Sequence, residues 1–512
     1  MYSILSESLI LKMIFKLYNI VKNNLNNSYY LHIVNKFVQL IRIYLRSSII
    51  KRIFTVKSHI SNSWEYGHVN KIVRFVLLLP EKTLTMLYKK TEHFICRSIT
   101  HRIIVMAINN IHLLTAILLF ISLVAPFRWN NLYAFFILAI LTLLLYLKPA
   151  VIGKEGLNVT GISLYTVVFV IAIFAAQLIS ISPSESFKFL IFYVNCFMLV
   201  ILLKSSIKTT VQLQSVIEVI LTGITITGLL GIWMAIIGVP VDPSLTDTLT
   251  NPDMPGRVYA TIKNTNDYAE SLLILLPFYL AVVTYSKSKV KKLLFTVMAT
   301  PAFIALVLTY SRTSWIGLIA AILIFVFFAN KKLILPLVIV GLLSVPLLPS
   351  TIINRVGTIT TGDTSIGYRF KIFKTVLPII KDYWFSGIGL GTFVFKRVVT
   401  RYPLYTEGWV PPHSHNIILH IWIESGIIGL LSFIGWVVHL FKTGINRVRY
   451  ETDTTLKYTI IASISSLSGA MIAGMGEHIW HEHRVMLLFW AVIGIITAAI
   501  IQNGDSNRIS KE

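Results

Sequence analysis

The chain has 512 residues, 55% of them apolar and 13% charged, with a mean hydropathy of +0.74 and a formal net charge of +24. Soluble domains carry about 25% charged residues, so this composition excludes a soluble globular protein and points to an all-α, polytopic membrane protein. In that class an excess of Lys and Arg belongs to cytoplasmic loops, so no nucleic-acid partner follows from it.

Residues 1–102 hold 16 Lys/Arg against Glu7, Glu65, Glu81 and Glu92. Apolar residues recur there at helical spacing, as in Leu9, Met13, Leu17 and Ile20, then Val34, Phe37, Val38, Ile41 and Leu45. That pattern predicts basic amphipathic helices on the anionic inner membrane surface; the other reading is a set of cytosolic helices packed on one another. No cleavable signal peptide is expected at the N-terminus. Cys96 and Cys196 fall in a basic segment and an apolar span, so no disulfide framework is expected.

From residue 103 onward, runs long enough to cross a bilayer (about 20 residues each) follow one another. Twelve spans are predicted: 103–125, 129–147, 159–180, 187–203, 211–238, 268–286, 293–310, 312–329, 333–349, 416–441, 457–476 and 485–501. With the N-terminus cytoplasmic, the inner connections hold 16 Lys/Arg. The short outer ones hold six: Arg128, Lys188, Arg257, Lys263, Arg312 and Arg484. This is the bias of the positive-inside rule, and it makes both termini, including the tail 502–512, cytoplasmic. Residues 103–349 then carry spans one to nine and 416–501 spans ten to twelve. The large polar loop 350–415 between spans nine and ten is extracytoplasmic. Inside it, Ile366, Phe370, Phe373, Val376, Leu377 and Ile380 predict a helix across the outer face, kinked near Pro378, with Arg369, Lys371 and Lys374 interleaved.

Several residues at the outer side could carry chemistry. Arg257, Arg312 and Arg369 offer planar forks suited to phosphate oxygens. Arg312, at the end of a span, has a second reading as a snorkelling side chain. Arg257 leads into Asn264-Thr-Asn266-Asp267, which reads either as an anion site at a helix start or as a capped loop. The loop ends in Pro411-Pro412-His413-Ser414-His415-Asn416. Asn416, His420 and Glu424 follow at four-residue steps on one helix face, and ionisable groups inside a span face the bundle interior. Histidine titrates near neutrality, which suits a general base. His415 and His413 both qualify, His413 having a second reading as a solvated loop residue. Gly387-Ile-Gly389-Leu-Gly391 reads as a tight turn, with backbone N–H groups available to a phosphate. Glu477-His478-Ile-Trp-His481-Glu482-His483 has the composition of a metal cluster without a clean zinc spacing. No Asp-x-Asp pair occurs, and neither a metal nor another cofactor is expected.

Three tracts resemble the O-antigen ligase/polymerase family of bacterial surface polysaccharide assembly. They are Arg257 with Asn264-Thr-Asn266-Asp267-Tyr-Ala269; Tyr310-Ser311-Arg312-Thr313-Ser-Trp315-Ile-Gly317; and Gly367-Tyr-Arg369-Phe with Gly387–Phe393, His413–Asn416 and Glu424-Ser-Gly426-Ile-Ile-Gly429-Leu. The resemblance covers roughly 250–500. It implies a bacterial plasma-membrane enzyme with an extracytoplasmic site. That enzyme transfers a glycan from undecaprenyl diphosphate to a hydroxyl of a glycan, lipid or protein acceptor, as a ligase or as a polymerase. It implies His415 as catalytic base, Arg257 and Arg369 as diphosphate ligands and Arg312 as a further substrate contact; Asn416, Glu424 and His413 are expected as supporting residues. The expected reaction is metal-independent and inverting. The rival class is a lipid-linked glycan transporter (flippase) that forms no bond, for which the deep charge Glu218 is the feature in favour.

Overall fold

The computed structural model describes residues 64–95, 98–126, 131–241, 254–357, 364–402 and 410–502. Of its two compact units, Met1–Glu65 and Tyr66–Glu512, the first lies almost wholly outside these residues. With it goes most of the amphipathic segment expected over 1–102.

The second unit is helical throughout its regular structure. Its helices are α1 His68–Ile95, α2 Ile99–Asn109, α3 Ile111–Val124, α4 Asn131–Ile152, α5 Leu164–Leu178, α6 Pro183–Ser206, α7 Thr210–Ile237, α8 Thr265–Tyr285, α9 Lys289–Leu308, α10 Arg312–Asn330 and α11 Ile334–Ser344. Then come α12 Ser350–Gly357, α13 Thr364–Asp382, α14 Thr392–Val399, α15 Ile417–Tyr450, α16 Thr454–Ala473 and α17 His483–Ile501.

Among the described residues nine stretches are long and apolar enough to cross a membrane, or ten if α2 and α3, bent by 75°, make one broken span. Each of the twelve predicted spans falls on a helix, but the count differs for two reasons. The span expected at 159–180 is the 15-residue helix α5, and those at 312–329 and 333–349 join into one stretch, Arg312–Ser344. A 3-10 turn at Lys331–Leu333 marks the junction. The helix predicted in the polar loop is α13, which runs through Pro378. Glu218, the deep charge of the transporter reading, is paired with Lys291.

Helices α8 and α17 form the centre, each with 83% of its apolar window buried. Close crossing is achieved with small residues, as expected where lipid offers no hydrophobic drive. A Cβ on Gly317 of α10 would lie 2.6 Å from the Gly469 carbonyl of α16, and the reverse contact is equally short.

The element that shapes the polar end is a break in α15. Gly426 has φ 67° and ψ −174°, a conformation open in practice only to glycine. The break frees backbone groups that must be satisfied inside the protein, and the Trp384–Gly391 loop satisfies them. Ile388 N–H donates to Ile423 O (2.8 Å), Gly389 N–H to Glu424 O (3.2 Å), and Ile427 N–H to Trp384 O (2.9 Å). Two tracts distant in sequence are therefore one joint.

Candidate functional site

The His413–Asn416 turn is built by local hydrogen bonds. Asn416 caps α15 by accepting from Leu419 N–H (3.0 Å), while its amide donates to Met475 O (3.0 Å). Ile417 N–H donates to Gly474 O (2.8 Å). These bonds tie the turn to the segment leading into Glu477. His415 sits at φ 49°, a left-handed conformation uncommon outside glycine, and so turns its ring toward that segment. Its Nδ1 lies 2.7 Å from Glu477 Oε1. Nε2 has no partner among the described residues. His413 Nε2 stands 3.5 Å from the same oxygen, and an Arg369 guanidinium nitrogen 3.5 Å from Glu477 Oε2.

The second half of the cluster hangs on α8. Asn264 caps this helix by accepting from the N–H groups of Asn266 and Asp267. Asn266 Oδ1 in turn accepts from Arg257 (2.6 Å), whose Nε donates to Thr309 O (2.7 Å). Asp267 Oδ1 is 3.2 Å from His481 Nε2, and His481 Nδ1 faces His478 O at 2.7 Å. The tract is thus both a cap and a holder of charged groups. The His413 ring lies between those of His415 and His481, at centroid distances of 4.2 and 4.3 Å.

Charge is concentrated here. Burial and the neighbouring cations of Arg355, Arg312 and Arg369 pull the Arg257 guanidinium down to about 9. It remains charged at neutral pH, and the shift reports four arginines gathered from separate segments. Helices α8, α10, α15 and α17 all begin at this end, adding the positive ends of their dipoles. Burial opposes ionisation of Glu477, but His415, His413 and Arg369 hold its carboxyl well below the usual range. Burial works against a charged His481 too, yet Asp267 and Glu477 keep it well above the usual imidazole value. His413 moves the other way: burial, then His481 and His415, keep it neutral. It is a buried residue, not a solvated one. Glu270, one turn beyond Asp267, lies among Asp267, Glu477, His481 and Arg369, and neither carboxylate oxygen has a hydrogen-bond partner among the described residues.

Two trios have ligand atoms close enough for a metal ion: His413, His415 and Glu477, and His420, Glu424 and His478. The hydrogen bonds at two of the Nδ1 atoms bear on which ring nitrogens are free. The backbone N–H of His415 donates to His413 Nδ1 (3.2 Å), and that of Ser414 to His420 Nδ1 (3.3 Å). Each neutral ring then carries its proton on Nε2, facing Glu477 in one case and Glu424 in the other. A metal would need those Nε2 atoms bare and a hydrogen-bond acceptor at Nδ1.

Glu424 has a different part from His415. It accepts from Tyr193 OH (2.7 Å) and Gly391 N–H (2.6 Å), so it locks the joint rather than facing the arginines. The glycine loop has no N–H to offer a phosphate. Besides the bonds of Ile388, Gly389 and Gly391, Gly387 N–H donates to Tyr383 O (2.9 Å) and Leu390 N–H to Ser186 Oγ (3.0 Å). A cavity of about 630 Å³ opens beside the cluster, with His481, Glu482, Thr392, Phe393, Lys188 and Phe192 in its wall.

Residues 297–434 match the O-antigen ligase family. The matched O-antigen ligase stretch contains Arg312, Arg369, His413, His415, Asn416 and Glu424; Arg257, Asp267, Glu477 and His481 lie outside it. The chain is also 26% identical over 217 residues to the ComP-specific O-oligosaccharyltransferase of Acinetobacter baylyi, covering 40% of this chain and 39% of that protein. It is 25% identical over 246 residues to the O-antigen ligase of Salmonella typhimurium, covering 46% of this chain and 58% of that protein. The similarity therefore spans less than two thirds of either relative.

The Asp267–His481 pair has a testable linkage. Because the folded value of His481 is raised, its stabilisation is fully present below about pH 6.5, the unfolded value, and is lost as pH rises through the folded value. Asp267→Asn leaves a buried cation without its partner, a loss of about 3 kcal/mol. Thermal unfolding of the detergent-purified variant should lag wild type most at pH 6 and converge with it as pH rises. An equal deficit at every pH would show that the pair acts only through packing.

Proposed function

We propose that this protein is an integral-membrane glycosyltransferase of cell-surface polysaccharide assembly. It moves a glycan from undecaprenyl diphosphate to a hydroxyl of a glycan, lipid or protein acceptor. The observation that carries this reading is the His415–Glu477 pair set against Arg369 and its neighbouring arginines. Such a site joins a base to an anion-binding surface, and the names of both relatives describe transfer of saccharides.

In the proposed step the acceptor oxygen attacks the anomeric carbon in line with the leaving diphosphate. His415 Nε2 takes the hydroxyl proton, and Glu477 at Nδ1 steadies the imidazolium that forms. The anomeric carbon–oxygen bond to phosphate breaks with its electron pair going to undecaprenyl diphosphate. Arg257 and Arg369, with Arg312 and Arg355, offset the charge that grows there, a stabilisation specific to the transition state. One displacement inverts the anomeric configuration. With guanidinium groups in this role the step needs no metal. The cavity at His481, with aromatic rings beside Thr392, Lys188 and Glu482, suits an acceptor sugar, whose faces stack and whose edges hydrogen-bond. The Lys/Arg bias supports cytoplasmic termini and this site on the outer side.

The test is reconstitution of the purified protein with undecaprenyl-diphosphate-linked glycan and host membrane acceptors. New glycosidic bonds and free undecaprenyl diphosphate are expected. Arg257→Ala and Arg369→Ala should each lower the rate by about 10²- to 10³-fold. Movement of intact lipid-linked glycan across the bilayer, with no new bond, would establish the transporter instead.

A further inference from the structure

We infer that the end of the bundle remote from the His413–His481 cluster holds a binding site for one anionic phospholipid, formed by an apolar cavity beneath α1 with Lys204 in its wall and Arg74 beside it.

The cavity is about 330 Å³ and lies between Val73 and Leu77 of α1, Val170 of α5, Phe197 and Val200 of α6, and Trp436 of α15. Its walls are overwhelmingly hydrocarbon, which suits an acyl chain. The polar edge is cationic. Lys204 is buried and donates to Thr160 O, and the charges of Arg74 and Lys208 act on it. Arg74 Nε is buried without a hydrogen-bond partner among the described residues, a costly state for a guanidinium donor unless an acceptor arrives. The nearby carboxylates are engaged elsewhere. Glu81 accepts from Leu157 N–H (2.9 Å), and Glu155 pairs with Lys208 at 3.4 Å.

Helix α1 explains how a lipid reaches this place. One face packs inward through Asn70, Val73, Leu77 and Tyr88. The other exposes Val69, Ile72, Phe75, Val76 and Leu79 beside Lys71 and Lys82. An apolar face edged with lysines lies in a membrane interface, which brings phospholipid headgroups level with Arg74. A phosphate with an added negative charge matches the cations, and its chain matches the cavity. A zwitterionic headgroup brings its own cation and matches less well.

The experiment uses the full chain, purified in detergent and titrated with dioleoylphosphatidylglycerol or dioleoylphosphatidylcholine. Retained lipid is read by native mass spectrometry and the unfolding midpoint is followed in parallel. Wild type should retain the anionic lipid about fivefold better or more, the scale of one cation's attraction at a membrane surface. Arg74→Gln should remove about fivefold of that preference. Val200→Trp, which fills the cavity, should abolish retention of both lipids. If that variant does not elute as a single species, Val167→Phe fills part of the same space. Equal retention of the two lipids by wild type, or retention unchanged when the cavity is filled, would overturn the site. Neither result depends on glycosyl transfer.

Discussion

Replacing His415 should lower glycan transfer by about 10²- to 10⁴-fold, the usual worth of a positioned general base. Nε2 is the nitrogen available to a proton, because Nδ1 is held 2.7 Å from Glu477. The backbone at 415 is left-handed, so His415→Ala adds strain of its own. His415→Asn keeps a residue that tolerates this conformation and removes the base. Both variants should elute as single species while transfer is lost, His415→Ala melting the lower of the two because of that strain, and Glu477→Gln should fall between them and wild type in transfer. Full transfer by His415→Asn would remove the histidine from the reaction. Loss in His481→Gln with His415→Asn intact would move the base to the other end of the cluster.

The second large effect is structural. Gly426→Ala should cost more than about 3 kcal/mol and leave little protein that elutes as a single species. The added Cβ would sit 1.8 Å from Phe385 O, at a backbone conformation that alone costs about 1–3 kcal/mol for other residues. Relief would pull α15 from the Trp384–Gly391 loop and expose the donors and acceptors that join them, each a loss of about 1–3 kcal/mol when buried without a partner. Gly341→Ala is the control. Nothing lies within 4 Å of a Cβ there, and in a helix the change should be neutral or stabilising by up to about 1 kcal/mol. A Gly426→Ala protein that melts with wild type would mean that the joint yields.

The site is partly legible in the sequence. Asn416, His420 and Glu424 share a face because four-residue steps are a property of one helix. Arg257, Arg312 and Arg369 stand out as cations in polar tracts between spans. Arg355 has no pattern to single it out. Glu477 and His481 sit in a tract dense with ionisable residues at a membrane boundary, a density that signals a site but reads by composition as a metal cluster. Their actual partners, His415 and Asp267, come from other segments and carry no local mark. Glycines 387 to 391 mislead for the same reason. A tight turn there has N–H groups a phosphate could use, yet those of Gly387, Gly389 and Gly391 are consumed by Tyr383 and by the broken α15, and that of Leu390 by Ser186.

The sequence by itself determined that the chain is a bundle of apolar helices and where those helices lie. A hydrophobic run long enough to cross a bilayer has one low-energy form, and its hydropathy is a sum over neighbours in the chain. Only the tertiary structure decided which carboxylate each histidine faces, which acid locks the joint, and that arginines from four segments share one field. Those facts depend on how helix ends meet across the bundle, and packing sets those meetings.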